Sequence, residues 1–254
     1  MLGLCSIANE NSKECYNDWA IPWPIKGKKK FTVAVEGNIG SGKSTFLQYF
    51  KKCKNVEVIP EPVHLWKDVQ GHNTLDLMYK DSHRWSLTFQ SYVQLTMLKI
   101  HQQWVKAPVK LIERSIYSAK YCFVENLHKS GRMPSVDYAL LSEWFDWIQK
   151  NTDINVDLIV YIRASPAICQ ERIKHRNRKE ELEVPLEYLQ SLHQLHEDWL
   201  IHQTHFKTPA PVLVLDGNKD LSDLEIDFEK RKEEILCGYN DDDSYPNKET
   251  IAVF

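Results

Sequence analysis

No apolar run in this chain approaches the roughly 18–20 residues that a membrane-spanning helix requires, so a membrane partner is not expected. The six cysteines, Cys5, Cys15, Cys53, Cys122, Cys169 and Cys237, are scattered and form no CxxC pair. That spacing argues against a disulfide or zinc framework and for reduced thiols in a reducing compartment. There is no basic excess. Lys and Arg number 32 against 35 Asp and Glu, a net charge of −3, which makes nucleic acid a poor partner. The first 30 residues contain no arginine but include Glu10, Glu14 and Asp18. A mitochondrial transit peptide has the opposite composition, so a cytoplasmic location is expected over a mitochondrial one. Lys28-Lys29-Lys30 reads as a solvated approach to the first strand, with a nuclear signal as the alternative.

What is present is a chain of 254 residues, 43% hydrophobic and 26% charged. Such a chain suits one large α/β domain that buries about three quarters of its unfolded surface. Residues 1–30 read as a polar flexible tail, 31–238 as the folded domain and 239–254 as an acidic flexible tail. Short β-rich runs occur at Phe31–Glu36, Val56–Ile59, Val109–Glu113, Leu158–Ile162 and Val212–Leu215. Segments of helical periodicity lie between them, at Trp85–Lys106, Tyr117–His128, Val136–Lys150 and Pro185–His205. Alternation of this kind predicts a parallel five-stranded sheet covered by helices on both faces.

The sharpest motif is Gly37-Asn38-Ile39-Gly40-Ser41-Gly42-Lys43-Ser44, followed by Thr45. It fits GxxxxGK[ST] and sits between a buried-type strand and an amphipathic stretch, the context a phosphate loop requires. Its glycines let backbone N–H groups curl around phosphate oxygens. Lys43 would reach the β- and γ-phosphates of ATP, and Ser44 would ligate Mg²⁺. A GTPase reading fails at Asn218-Lys219-Asp220, where Leu221 stands in place of the aspartate of NKxD.

Three further groups point to phosphoryl transfer. Glu113 and Arg114 end the third apolar run, where an acid can serve Mg²⁺ and an arginine the transferring phosphoryl group. Glu61 follows the second run between Pro60 and Pro62, at a strand's carboxyl end where ligands of open α/β sheets bind, and it suits a base acting on a hydroxyl. Arg172, Arg176 and Arg178 form an arginine-rich turn that could act as a lid over ATP. The histidine pairs at 193/196 and 202/205 lack an acid or cysteine partner and read as a polar helix face rather than a zinc site.

Seven stretches together resemble the deoxyribonucleoside kinase family, its insect multisubstrate and mitochondrial-type thymidine-phosphorylating branches above all. They are EGNIGSGKST (36–45), EPVHLW (61–66), LMYKD (77–81), FQSYVQLTM (89–97), ERSIYSAKYCFVENL (113–127), SEWFDWI (142–148) and PLEYLQSLHQLHEDWLIH (185–202). The resemblance runs from Phe31 to about Leu215; the segment after about 217 matches nothing closely.

The resemblance implies a P-loop kinase fold with an arginine-rich lid, ATP with Mg²⁺ as donor, a homodimer, and a deoxyribonucleoside as acceptor. It makes Glu61 the base on the 5′-hydroxyl, steadied by Arg114, with Ser44 and Glu113 serving the metal. Tyr79 and Glu181 would hold the sugar 3′-hydroxyl, Gln90 the base edge and Phe123 the base face. Trp66, Met78 and Phe89 would wall the pocket. Met97 and Ala119, with Val93 nearby, stand where members that favour purines or deoxycytidine carry an Arg and an Asp, which implies thymidine and deoxycytidine over purines. The competing readings are a nucleoside-monophosphate kinase, which needs basic residues at the acceptor, and a P-loop sensor without turnover. The apolar acceptor side and the intact Lys43, Ser44, Glu61 and Arg114 disfavour both.

Overall fold

The computed structural model describes residues 30–178, 181 and 184–239. The strands form where the β-branched runs predict them: β1 Phe31–Glu36, β2 Val56–Ile59, β3 Val109–Glu113, β4 Leu158–Arg163 and β5 Val212–Asp216. They make one parallel sheet in the order β2-β3-β1-β4-β5. Parallel neighbours need crossover connections, so helices come to cover both faces. In β1, Val33 and Val35 point into one apolar layer and Ala34 into the other, all three fully buried.

One layer holds helix α1 (Lys43–Phe50), whose Phe46 and Phe50 rings lie 4.7 Å apart and pack with Phe228. Phe228 belongs to α10 (Leu221–Lys230), which α11 (Lys232–Ile235) follows. The segment after 217, to which no resemblance was found, thus completes the core through Leu224, Phe228, Ile235 and Leu236. Tyr239, expected in the C-terminal tail, is buried edge-on to Phe31. The rest of that tail and residues 1–29 of the N-terminal one lie outside the described residues.

The opposite layer is built by α4 (Ser82–Gln102), α7 (Ser135–Asn151) and α9 (Leu186–Leu200) over Tyr161, Phe145 and Trp199. Helix α4 starts three residues earlier than its periodicity predicts because Asp81 accepts from the Arg84 amide. It also stops short of Lys106. The Lys110 ammonium donates to the carbonyls of Ile100, His101 and Gln103 and closes the helix there. The short helices α2 (Val63–Lys67) and α3 (Thr74–Lys80) precede it, and α8 (Pro166–Arg176) follows β4.

The stretch Tyr117–His128, expected as one regular helix, is instead α5 (Ile116–Ser118), a π-helical turn at Ala119–Val124 and α6 (Glu125–Lys129). A wider turn of this kind re-aims side chains and occurs often at functional sites.

Candidate active site

The carboxyl ends of β1, β2 and β3 open into a cavity of about 610 Å³. The phosphate loop forms its floor. Gly40 has φ 78°, and a Cβ there would meet the Cys169 carbonyl at 2.5 Å. Gly42 caps α1 with φ 107°, so the loop's turns need the conformations that glycine alone takes freely. Asn38 locks the loop from both sides. Its amide donates to the Leu189 carbonyl at 2.8 Å, and its side-chain oxygen accepts from the Ile39 amide at 2.9 Å. The buried Lys43 ammonium donates to the carbonyls of Gly37 (3.1 Å) and Asn38 (2.7 Å). Burial lowers its pKa to about 8, with Arg114 adding to the effect.

The acidic and basic groups at the strand ends form one connected set. Ser44 Oγ donates to Glu113 Oε1 at 2.8 Å. The other Glu113 oxygen accepts from the Glu61 amide at 3.4 Å. Glu61 Oε1 lies 3.0 Å from Arg114 Nε. That N–H is not aligned on the oxygen, so the contact is a charge pair rather than a hydrogen bond. Arg114 also donates from Nη1 to the Gly37 carbonyl at 2.9 Å. Its φ of 63° is left-handed, a strain of about 1–3 kcal/mol that the surrounding contacts must offset. Burial raises the Glu61 pKa despite the attraction of Arg114, while the side chain keeps 19% exposure. A carboxylate in that state is a better proton acceptor than a solvated one.

The opposite wall is apolar. Trp66 packs edge-on to Phe89 at 5.7 Å and donates to Thr96 Oγ1 at 2.9 Å. Val93, Met97 and Ala119 are buried beside them. Phe123, carried by the π turn, has the Arg114 guanidinium 4.7 Å from its ring centroid. Gln90 is 2% exposed, lines this wall, and its amide oxygen has no partner among the described residues. Tyr79 is half-buried, and burial pushes its phenol well above the ordinary range, so it stays a neutral hydroxyl.

The arginine-rich turn is less free than the sequence implied. Arg172 donates to the carbonyls of Ser41, Gly217 and Lys219 and straps the phosphate loop to the turn after β5. Arg176 and Arg178 both bind the Glu181 carboxylate, Arg178 at 2.6 Å.

Of the residues singled out from sequence, Gly37, Asn38 and Ser41 shape the phosphate loop from behind, and all the others line the cavity. Tyr188, Ser115, Ser118, Leu221 and Leu224 also line it and were missed. Tyr188 lay within a quoted stretch, but helical periodicity gave it no distinction from its neighbours. Asp68-Val69-Gln70-Gly71 has the DxxG spacing of a GTPase switch. In the structure it is an exposed turn closed by Gly71 N on Asp68 Oδ1, and it does not line the cavity.

A family model for deoxynucleoside kinases matches residues 33–237, well past the Leu215 limit of the motif resemblance. The chain is 52% identical over 213 residues to the human protein named thymidine kinase 2, mitochondrial, covering 84% of this chain and 80% of that one. It is 38% identical over 241 residues to human deoxycytidine kinase, covering 83% and 93%. With a phosphate loop, a strand-end acid–arginine set and a match that reaches all five strands, the chain belongs to the deoxynucleoside kinase family.

Proposed function

We propose that the protein transfers the γ-phosphoryl group of ATP to the 5′-hydroxyl of a deoxyribonucleoside, with thymidine and deoxycytidine preferred. The observation that carries this reading is one cavity that joins the phosphate loop to Gln90, a buried amide whose oxygen has no partner among the described residues. An amide offers one acceptor and two donors, so Gln90 can pair with the N3–H and O4 edge of thymine or, turned over, with N3 and the amino group of cytosine. The names of the relatives point to the same two acceptors. Met97, Ala119 and Val93 leave room for a thymine methyl and present no charged donor to a purine.

At the other end, Glu61 takes the proton of the hydroxyl, and Arg114 steadies the same oxygen and the moving phosphoryl group. Positioning and charge stabilisation dominate such transfers. Lys43 leaves its loop carbonyls to bind the β- and γ-phosphates, and the arginines 172, 176 and 178 add positive charge around them. Tyr79 and Glu181 take the 3′-hydroxyl, and Phe123 stacks on the base. Ser44 and Glu113, one hydroxyl and one carboxylate side by side, suit Mg²⁺, which takes few protein ligands when phosphates and waters complete its shell. Mg²⁺ bound there with ATP supplies neutralisation of the phosphate charge.

Helix α7 leaves Val136, Leu140, Trp144 and Trp147 exposed at helical spacing. A second copy of the chain is the partner that reading assigns to this face, which light scattering of the wild type and of Trp144→Glu tests. Among the described residues Cys53, Cys122, Cys169 and Cys237 form no disulfide, which suits a reducing compartment. Cytoplasm and mitochondrial matrix both qualify, and imaging of the tagged full chain separates them.

The function itself is tested by ADP release from Mg-ATP with thymidine, deoxycytidine, deoxyguanosine and thymidine monophosphate. Thymidine and deoxycytidine should give the highest kcat/KM, and Glu61→Gln should lower kcat about 10²–10⁴-fold. Turnover with the monophosphate alone, or a preference for deoxyguanosine, refutes the reading.

A further inference from the structure

Glu36 has no part in the scheme above, yet it is a fully buried carboxyl at the carboxyl end of β1, directly before the phosphate loop. Its Oε1 accepts from Ser115 Oγ at 2.6 Å. Its Oε2 is buried and has no partner among the described residues. A buried carboxyl with one idle oxygen costs stability, so it needs a local reason to be there.

The neighbouring contacts supply one. Three consecutive residues of β1 and its exit hold the two residues that follow β3. The Val35 carbonyl accepts the Arg114 amide at 2.9 Å, Glu36 holds Ser115, and the Gly37 carbonyl accepts Arg114 Nη1 at 2.9 Å. Ser115 in turn forms a reciprocal cap with Ser118, and both serines line the cavity. Arg114 is held in its left-handed backbone at the centre of this grip. Three carboxyl groups, Glu61, Glu36 and Glu113, act electrostatically on the one Arg114 guanidinium, and Arg114 is the largest charge acting on Glu61. Arg114 is thus a charge on which both Glu36 and Glu61 act.

We propose that Glu36 is a positioning residue for phosphoryl transfer: it fixes the Arg114–Ser115 backbone and shares the guanidinium charge, which weakens the hold of Arg114 on Glu61. This rests on the assignment of Glu61 and Arg114 given above. The groups that face Glu36 are Arg114 and Ser115 after β3, Ser118 in α5, Lys43 in α1 and Cys122 in the π turn. Burial outweighs the cations among them and raises the Glu36 pKa to about 7. In the ionised form it draws Arg114 away from Glu61. In the protonated form Arg114 leans wholly on Glu61, stabilises its anion and makes it a weaker base.

The test is steady-state kinetics on thymidine between pH 5.5 and 9 with Glu36→Gln, Glu36→Asp and Ser115→Ala. Glutamine keeps the acceptor for Ser115 and removes the charge. Glu36→Gln should lower kcat at pH 7.5 at least tenfold, with both KM values within about threefold of wild type, because Arg114 then stays on Glu61. Wild-type kcat should fall on acidification through about pH 7, and Glu36→Gln should lose that limb. Glu36→Asp should restore the limb. Ser115→Ala, which removes the hydrogen bond and keeps the carboxylate, should retain it. That variant carries the test should Glu36→Gln fail to fold. Glu36→Gln with wild-type kcat and an unchanged limb overturns the proposal, as does Ser115→Ala without the limb. Glu61→Gln run alongside keeps the two readings apart: full activity there sinks the base assignment, whereas the Glu36 variants alone decide this one.

Discussion

Replacing Gln90 with leucine should move stability and catalysis in opposite directions. The side chain is 2% exposed, and its amide oxygen has no partner among the described residues. A buried polar atom left unpaired costs about 1–3 kcal/mol. Leucine is close in volume and sits naturally beside Phe89, Val93 and Met97, so Gln90→Leu should recover most of that cost. For a chain of this length each kcal/mol shifts Tm by roughly 2–4 °C, so taking the lower half of the range gives a rise of about 2–8 °C. Catalysis loses the two base-edge hydrogen bonds and leaves the matching groups of the substrate unpaired. Together these amount to about 2–4 kcal/mol in kcat/KM, or roughly 30- to 1000-fold at 1.36 kcal/mol per decade. The loss should be similar for thymidine and deoxycytidine, since one amide serves both. Differential scanning calorimetry and kcat/KM on both nucleosides decide it. Activity within threefold of wild type removes Gln90 from base recognition. A fall in Tm of several degrees shows that its amide is satisfied in the free protein and refutes the premise.

Gly40→Ala places a Cβ 2.5 Å from the Cys169 carbonyl at a φ of 78°; ATP affinity should fall at least tenfold and Tm should drop, as calorimetric ATP titration and thermal melts will read. Arg172→Ala cuts the strap from the phosphate loop to Gly217 and Lys219. The KM for ATP should rise several-fold while that for thymidine holds, and an equal rise in both rejects a donor-side role. His101 and His196 are buried, and burial depresses both to about 3 from an ordinary 6.5. Their neutral forms stabilise the fold fully above pH 6.5, and that stability is lost as pH falls towards 3. Glu36, raised to about 7 from 4.5, works the other way between those values. Glu61, raised in the same direction, adds to that opposition, so unfolding free energy should rise by at most about 1.4 kcal/mol per pH unit between 4.5 and 6.5. Urea melts across that range measure it, and a steeper rise or a fall contradicts it.

The sheet was legible because β1, β3 and β4 are buried nearly throughout and even the half-exposed edge strands β2 and β5 read as short aliphatic runs; β4 and β5 each extend a single residue beyond those runs, to Arg163 and Asp216. The phosphate loop was legible because its glycines meet real steric limits. The π turn was not, since nothing in AKYCFV distinguishes a wide turn from a regular one, and only its packing among α4, α7 and α9 selects it. Helix α10 escaped because amphipathic periodicity in LSDLEIDFEK is common in exposed helices; its weight lies in Phe228 meeting Phe46, which is a tertiary fact. Glu36 was visible only as the letter before a glycine loop. Its significance needs the Ser115 contact, 79 positions away. Likewise the arginine cluster could be seen, but not that Arg172 ties down backbone carbonyls.

Glu113 accepts from Ser44 on one oxygen and from the Glu61 amide on the other. A single carboxylate at the tip of one strand therefore gauges the separation between the phosphate loop and Glu61, and it does so within the rigid sheet. The apolar wall around Gln90, proposed above to meet the nucleobase, stands elsewhere, on α4 and the π turn. Substitutions at Val93, Met97 or Ala119 can reshape that wall without shifting a strand end. A fold divided in this way can exchange the molecule it accepts over evolutionary time while the alignment of the reacting atoms is inherited intact.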